Sequence, residues 1–228
     1  MLENISFSVS KGKLIGIIGP NGAGKSTLIK AILNLVRPSS GTACFDGKPL
    51  DSIKKVTSYV KQRIDNDLNF PIQVKDVVML GLFPKIGLFK FPNKRHKMQV
   101  LNALKEVEME NYAKSQIGEL SGGQLQRVFL ARVLVQDAQI IFLDEPFAGI
   151  DADSEQKIMN ILRKLRDDGK TIVMIYHDLN NAADYFDEMI ILNKDVVACG
   201  DTKTVFTKEN IAKAYTGSLL DIFQPGGL

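Results

Sequence analysis

Gly19-Pro20-Asn21-Gly22-Ala23-Gly24-Lys25-Ser26-Thr27 follows an apolar run, Leu14 to Ile18, and leads into a helix-like segment, Leu28 to Leu35. Strand, glycine-rich loop and helix in that order, with G-x-x-x-x-G-K-[ST] in the loop, constrain this chain more than any other stretch. Glycines carry no Cβ, so the backbone can turn tightly around an anion with its N–H groups pointing inward. The helix that follows begins with unpaired N–H groups and a positive dipole end, which favour phosphate. Lys25 can reach the β- and γ-phosphates of a nucleotide, and the Ser26 hydroxyl can ligate Mg²⁺. A glycine-rich turn that binds nothing has no need of the strand before it and the helix behind it. The expected ligand is a nucleotide.

A chain of 228 residues, 45% hydrophobic and 24% charged, can bury the core of one large domain or of a domain with a subdomain. A net charge of +3 is too weak a bias to argue for nucleic acid. Cys44 and Cys199 have no metal-ligand spacing, so a buried apolar role is expected for both, as suits a cytosolic compartment. No apolar run approaches the ~20 residues that span a bilayer. Residues 1–13 alternate polar and apolar and have no signal-peptide core. Work at a membrane would therefore require docking onto something that spans it.

Along the chain, Ile5, Phe7 and Val9 alternate with polar neighbours and read as a half-buried strand. Thr42 to Phe45 reads as another, followed by the turn pair Asp46-Gly47. Together they suggest a small antiparallel layer. Lys55 to Val60 is a strand ending near Gln62. From about 71 to 136 the pattern is that of an inserted helical subdomain. Val74 to Leu82 is a short helix, Pro84 to Pro92 a loop, and Asn93 caps a helix with Met98, Leu101, Leu104 and Val107 near one face. Gln124 to Gln136 is helical again. Ile140 to Leu143 and Thr171 to Tyr176 are strands buried on both faces, separated by a helix from Asp151 to Arg166 with Ile158, Ile161, Leu162 and Leu165 inward. Met189 to Leu192 and Val196 to Cys199 form a hairpin through Asn193-Lys194, and Thr207 to Tyr215 is a helix stopped near Gly217. Strands alternating with helices predict an α/β fold with a mainly parallel sheet.

Polar groups stand just past the C-terminal ends of several apolar strands: the phosphate loop, Gln62, Asp144-Glu145 and His177. Ligands of open α/β sheets bind at that edge. Asp144 can hold Mg²⁺ opposite Ser26. Glu145, next to it, is economically assigned to polarising a water. His177 can hydrogen-bond a γ-phosphate, although a lone histidine there would more often cap or pack. Leu120-Ser121-Gly122-Gly123-Gln124 is a second glycine-bearing turn opening a helix, hence a second anion cradle. One nucleotide has no obvious need of two cradles from one chain. If one molecule's second cradle covers another's nucleotide, two ATP molecules are sandwiched in a symmetric homodimer.

With these residues in view, the chain closely resembles the ATP-binding subunits of ABC transporters, which have a P-loop NTPase core. GPNGAGKST looks like the family's Walker A motif, Gln62 its Q-loop, LSGGQ its signature motif, IIFLDE its Walker B motif, Gly149-Ile150-Asp151 its D-loop and His177 its H-loop switch. D-loops of the family often read Ser-Ala-Leu-Asp instead. The resemblance implies that ATP closes two such domains head to tail, with Ser121 and Gly123 of one contacting the γ-phosphate held by the other. It implies catalysis by Glu145 with His177 and Gln62, Mg²⁺ held by Ser26, Gln62 and Asp144, and Gln62 as the link to coupling helices of two membrane-spanning permease subunits. The subunit would work peripherally, on the cytoplasmic face of the cell membrane. An aromatic that stacks on adenine usually lies upstream of Walker A. Here Phe7 falls too close to the loop, which suggests a chain that begins late.

Residues 65–81, DNDLNFPIQVKDVVMLG, and 84–89, PKIGLF, further resemble importers of manganese, zinc or iron, which implies an extracytoplasmic metal-binding protein in the full system. The alternatives are an importer of another cargo such as an iron chelate, or a soluble ABC ATPase of DNA repair or translation. Repair members insert long coiled coils between Walker A and the signature, but Thr27 to Leu120 has no sustained heptads. Translation members carry two such domains in one chain. A non-catalytic regulatory module is at odds with intact Lys25 and Asp144-Glu145. The basic run Lys85, Lys90, Lys94, Arg95 and Lys97 is by default a solvated face, with anionic lipid headgroups as the alternative.

Overall fold

The computed structural model describes residues 2–50, 56–61, 71–87 and 90–215. In chain order its elements are β1 (Leu14–Ile18), α1 (Lys25–Ile32), β2 (Cys44–Phe45), β3 (Lys48–Pro49), β4 (Thr57–Val60), α2 (Val74–Leu80), α3 (Phe83–Ile86), α4 (Lys94–Glu106) and α5 (Gly122–Gln136). There follow β5 (Ile140–Leu143), α6 (Ala152–Asp167), β6 (Thr171–Ile175), α7 (Leu179–Tyr185), β7 (Glu188–Asn193), β8 (Asp195–Asp201), α8 (Thr202–Val205) and α9 (Lys208–Ala214). The chain divides into two compact units, Met1–Lys54 with Thr171–Leu228, and Lys55–Lys170.

In the first unit β1 lies between β6 and β7 and is parallel to both, and β8 closes the edge antiparallel to β7. Every residue of β1 and β6 is buried, as strands covered on both faces require. The antiparallel pair turns through Asn193 and Lys194, whose φ of 66° supplies the reversal. β2 and β3 form a separate two-stranded antiparallel sheet across Asp46-Gly47, both at positive φ as a tight hairpin turn needs.

Ile5 to Val9 departs from expectation. Ile5, Phe7 and Val9 are half-buried between exposed neighbours, as the alternation predicts, yet the segment forms no strand. It is fastened instead by side chains: the Ser10 amide donates to Glu188 Oε2 at 3.1 Å and the Cys199 thiol to the Ser8 carbonyl at 3.6 Å. The cysteines depart too, Cys44 being exposed and Cys199 half-buried.

In the second unit β4 and β5 pair in parallel register. Helices α2, α4 and α5 pack on one another. Asn93 caps α4, accepting from the His96 amide at 3.1 Å while His96 Nδ1 accepts from the Asn93 amide at 3.2 Å. The buried face of α4 and its C-cap is Val100, Ala103, Leu104 and Val107. Met98 and Leu101, expected on one face with Leu104 and Val107, are exposed while those two are buried. The expected 84–92 loop begins with one helical turn, α3, because Pro84 sits in its first turn where a missing N–H costs nothing. In α6 Met159 replaces the half-buried Ile161 on the inward face. The helix-stopping Gly217 lies outside the described residues.

Candidate active site

β1 delivers the phosphate loop. Its register pairs Ile17 with Ile175 of β6, so Gly19 and His177, each two residues further on, leave the sheet at the same edge. β7 ends there as well, and the Lys194 amide donates to the Ala23 carbonyl at 3.0 Å. Gly24 caps α1 at φ 97°, a conformation L side chains rarely adopt, and a Cβ there would strike the Leu2 side chain. A Cβ on Gly19 would collide with the Leu192 carbonyl oxygen. Lys25 is buried, and its ammonium donates to the carbonyls of Gly19 at 2.8 Å and Pro20 at 2.9 Å. Ser26 is half-buried, while Asn21, Gly22, Thr27 and His177 are exposed. Asp178 caps α7 by accepting from the Asn180 amide at 2.9 Å, so His177 stands just outside that helix.

α9 reaches the same loop. Asn193 Nδ2 donates to the Ala214 carbonyl at 2.8 Å, and the Gly19 backbone hydrogen-bonds Tyr215. Burial raises the Tyr215 phenol above its ordinary value, and that hydrogen bond opposes the rise. Sequence reasoning missed Tyr215, because only the return of α9 to β7 brings it to the loop.

In the second unit Val60 of β4 pairs with Leu143 of β5, and the Asp144 amide donates to the Val60 carbonyl at 2.9 Å. Asp144 is 3% exposed, and the Tyr59 hydroxyl donates to its Oδ2 at 3.1 Å. Burial, then the Asp144 carboxylate, push the Tyr59 phenol well above its ordinary value, so it remains a donor. Tyr59 was also missed. The one clue in sequence is a tyrosine in the strand that runs towards Gln62. Glu145 is half-buried and holds φ 51°, an uncommon left-handed conformation that turns the chain sharply after the buried aspartate. Gln62 lies outside the described residues.

The second glycine-bearing turn opens a helix, as its sequence suggests. Ser121 caps α5, its Oγ accepting from the Gln124 amide at 3.3 Å while Gln124 Oε1 accepts from the Ser121 amide at 2.9 Å. Ser121 and Gly122 are exposed and Gly123 is buried. A Cβ on Gly123 would overlap Ser154 of α6, and one on Gly122 would touch the Gly149 carbonyl and Ile150. The Ser121 turn therefore rests on the loop at Gly149 and Ile150 and on Ser154. Asp151 fixes that loop, accepting from the Ser154 amide at 2.9 Å and hydroxyl at 2.8 Å, and these bonds hold its carboxyl below the usual range.

The donors suit the expected ligands. A hydroxyl at the head of α1 and a buried carboxylate are hard oxygen donors of the kind Mg²⁺ takes. The phosphate loop offers a buried ammonium, left-handed glycine geometry and a helix N-terminus to a polyphosphate.

Residues 2–148 match the ABC transporter family. The chain is 53% identical over 214 residues to the manganese transport system ATP-binding protein MntB of Listeria monocytogenes, covering 94% of this chain and 89% of that protein. It is 44% identical over 227 residues to the zinc transport system ATP-binding protein TroB of Treponema pallidum, covering 100% of this chain and 85% of that protein. Among solved structures it is similar to the dimeric post-hydrolysis ATP-binding cassette MJ0796 bound to ADP and Pi, at 30% identity and a TM-score of 0.73, covering 88% of this chain and 90% of that one.

Proposed function

Because the chain belongs to the ABC transporter family of ATP-binding subunits, we propose that it drives uptake of a transition metal ion, manganese before zinc or iron, through two separate permease subunits. It binds and hydrolyses ATP, as its family does. The observation that carries the reading is the full set of motifs on one chain: a buried lysine in the phosphate loop, a buried aspartate followed by glutamate, and an exposed, capped LSGGQ turn. The metal assignment draws support from the relatives named for manganese and zinc transport.

The roles follow from the chemistry of each group. Gly19 to Thr27 wrap the triphosphate, Lys25 exchanging loop carbonyls for phosphate oxygens. Mg²⁺, held by Ser26 and Asp144 with Gln62, would neutralise charge on the phosphates. Glu145 accepts a proton from the attacking water, and His177 donates to the γ-phosphate. Ser121, Gly122, Gly123 and Gln124 of a second copy cover the nucleotide. The Ser121 oxygen accepts from Gln124, which leaves its O–H free to donate outward. Residues of about 71–136 form a helical subdomain, and the exposed Leu80 and Phe83 are suited to docking a permease helix. Among the described residues no helix is long and apolar enough to cross a membrane. The subunit then works at the cytoplasmic membrane face, and the full system includes an extracytoplasmic metal-binding protein.

Uptake measurements test the cargo. Cells lacking the gene should accumulate less manganese, with zinc and iron as comparisons. Unchanged accumulation of all three would remove the metal reading while leaving the ATPase intact.

A further inference from the structure

Helix α4 keeps Val100, Ala103 and Leu104 inward and leaves Met98 62% and Leu101 51% exposed. At 100° per residue, Lys94, Met98, Leu101 and Lys105 fall within one stripe roughly 60° wide on its outer side. Just ahead of the helix, Phe91 is 94% exposed. Residues 77–105 contain none of the chain's 26 acidic residues but include Lys85, Lys90, Lys94, Arg95, Lys97 and Lys105. In a chain of net charge +3 the remainder is therefore net negative, and the positive excess is concentrated here.

A phenyl ring in water amid cations, beside an apolar stripe with a lysine at each end, has the makeup of an interfacial surface. Such a surface sinks its apolar groups into the headgroup boundary while long cationic side chains reach the lipid phosphates. We propose that Phe91 and the Lys94–Met98–Leu101–Lys105 stripe contact a bilayer containing anionic phospholipid, holding the subunit against the membrane. A protein partner is the poorer match. At 94% exposure the ring has no pocket among the described residues to share with a protein partner's anchor. The charge of the segment is also complementary to an anionic leaflet along its whole length. This contact rests on the transporter-subunit reading, which places the chain beside a membrane.

The chain has no tryptophan, so Phe91→Trp introduces a single reporter. The purified full chain is mixed with vesicles of phosphatidylcholine, or of phosphatidylcholine with phosphatidylglycerol. The emission should shift to the blue on the anionic vesicles alone, and the shift should reverse in high salt. In sedimentation with the anionic vesicles, Phe91→Ala should weaken partition about tenfold. Lys94→Gln or Lys105→Gln should weaken it roughly fivefold each. No shift, an equal shift on neutral vesicles, or a shift seen only with purified permease subunits in detergent overturns the lipid contact. Binding of a fluorescent ATP analogue, expected unchanged in Phe91→Ala, separates the two readings. If the unaltered chain fails to bind the analogue, the transporter subunit falls and the contact with it. Intact binding without a vesicle response overturns the contact alone.

Discussion

Lys25 is the residue on which the phosphate loop turns. Its ammonium is buried and bonded to two carbonyls of its own loop. Lys25→Ala removes the cation and leaves those carbonyls facing bound phosphate. Affinity for a fluorescent ATP analogue should fall about a hundredfold, the worth of two charge-assisted contacts; unchanged affinity would contradict the assignment. In the proposed mechanism Tyr59 acts one step back from the chemistry, through Asp144. Tyr59→Phe takes a donor from the buried Asp144 carboxylate, which should lower unfolding free energy by about 1 kcal/mol in urea. The Mg²⁺ concentration that half-saturates analogue binding should rise several-fold. A purely structural tyrosine would change the urea midpoint and not the Mg²⁺ requirement. The contrast between these residues shows what can be read from sequence. Lys25 was legible because its partners lie five and six positions away, inside one motif. Tyr59 was not, because Asp144 lies 85 positions along the chain and only β-pairing brings them together.

At the scale of elements, the strands buried on both faces were plain, since Leu14 to Ile18 and Ile140 to Leu143 are unbroken apolar runs. Ile5 to Val9 was misread because alternation records which side chains are covered, not whether a ladder partner exists. In α4 apolar residues occupy two faces, and periodicity alone could not say which face the core claims. Asn93 reads as a cap because its signal is local, whereas Asp151 reads as the first helical residue and in fact caps α6. The end of α5 carries a pH prediction. Asp137 holds the left-handed position there at φ 53°, and Lys170 donates to its Oδ1 at 2.6 Å. That hydrogen bond, ahead of any other cause, holds the Asp137 carboxyl below its ordinary value. The resulting stability is present above the unfolded pKa of about 3.9 and is lost as pH falls through the lower folded value. Asp137→Asn, which tolerates the same backbone, should therefore flatten the acid limb of stability below about pH 4. Urea midpoints measured from neutral to acid pH check this; an acid limb as steep as that of the unaltered chain would contradict it.

For the whole molecule, the exposed signature turn is the feature that asks for a second copy. Glu145→Gln keeps the size of the side chain and removes its basicity. With ATP and Mg²⁺ the variant should run as a dimer by light scattering, and with ADP as a monomer. A monomer at saturating ATP and Mg²⁺ would contradict the sandwich. The strand that carries the phosphate loop has a further consequence. β1 is made early, yet Leu14 pairs with Ile172 and Ile18 with Ile191, so both its neighbours are synthesised late. On the ribosome the strand must wait, unpaired, until most of the chain has emerged. An unfinished copy thus has no organised grip on nucleotide, and truncated translation products would be inert bystanders rather than competitors for ATP.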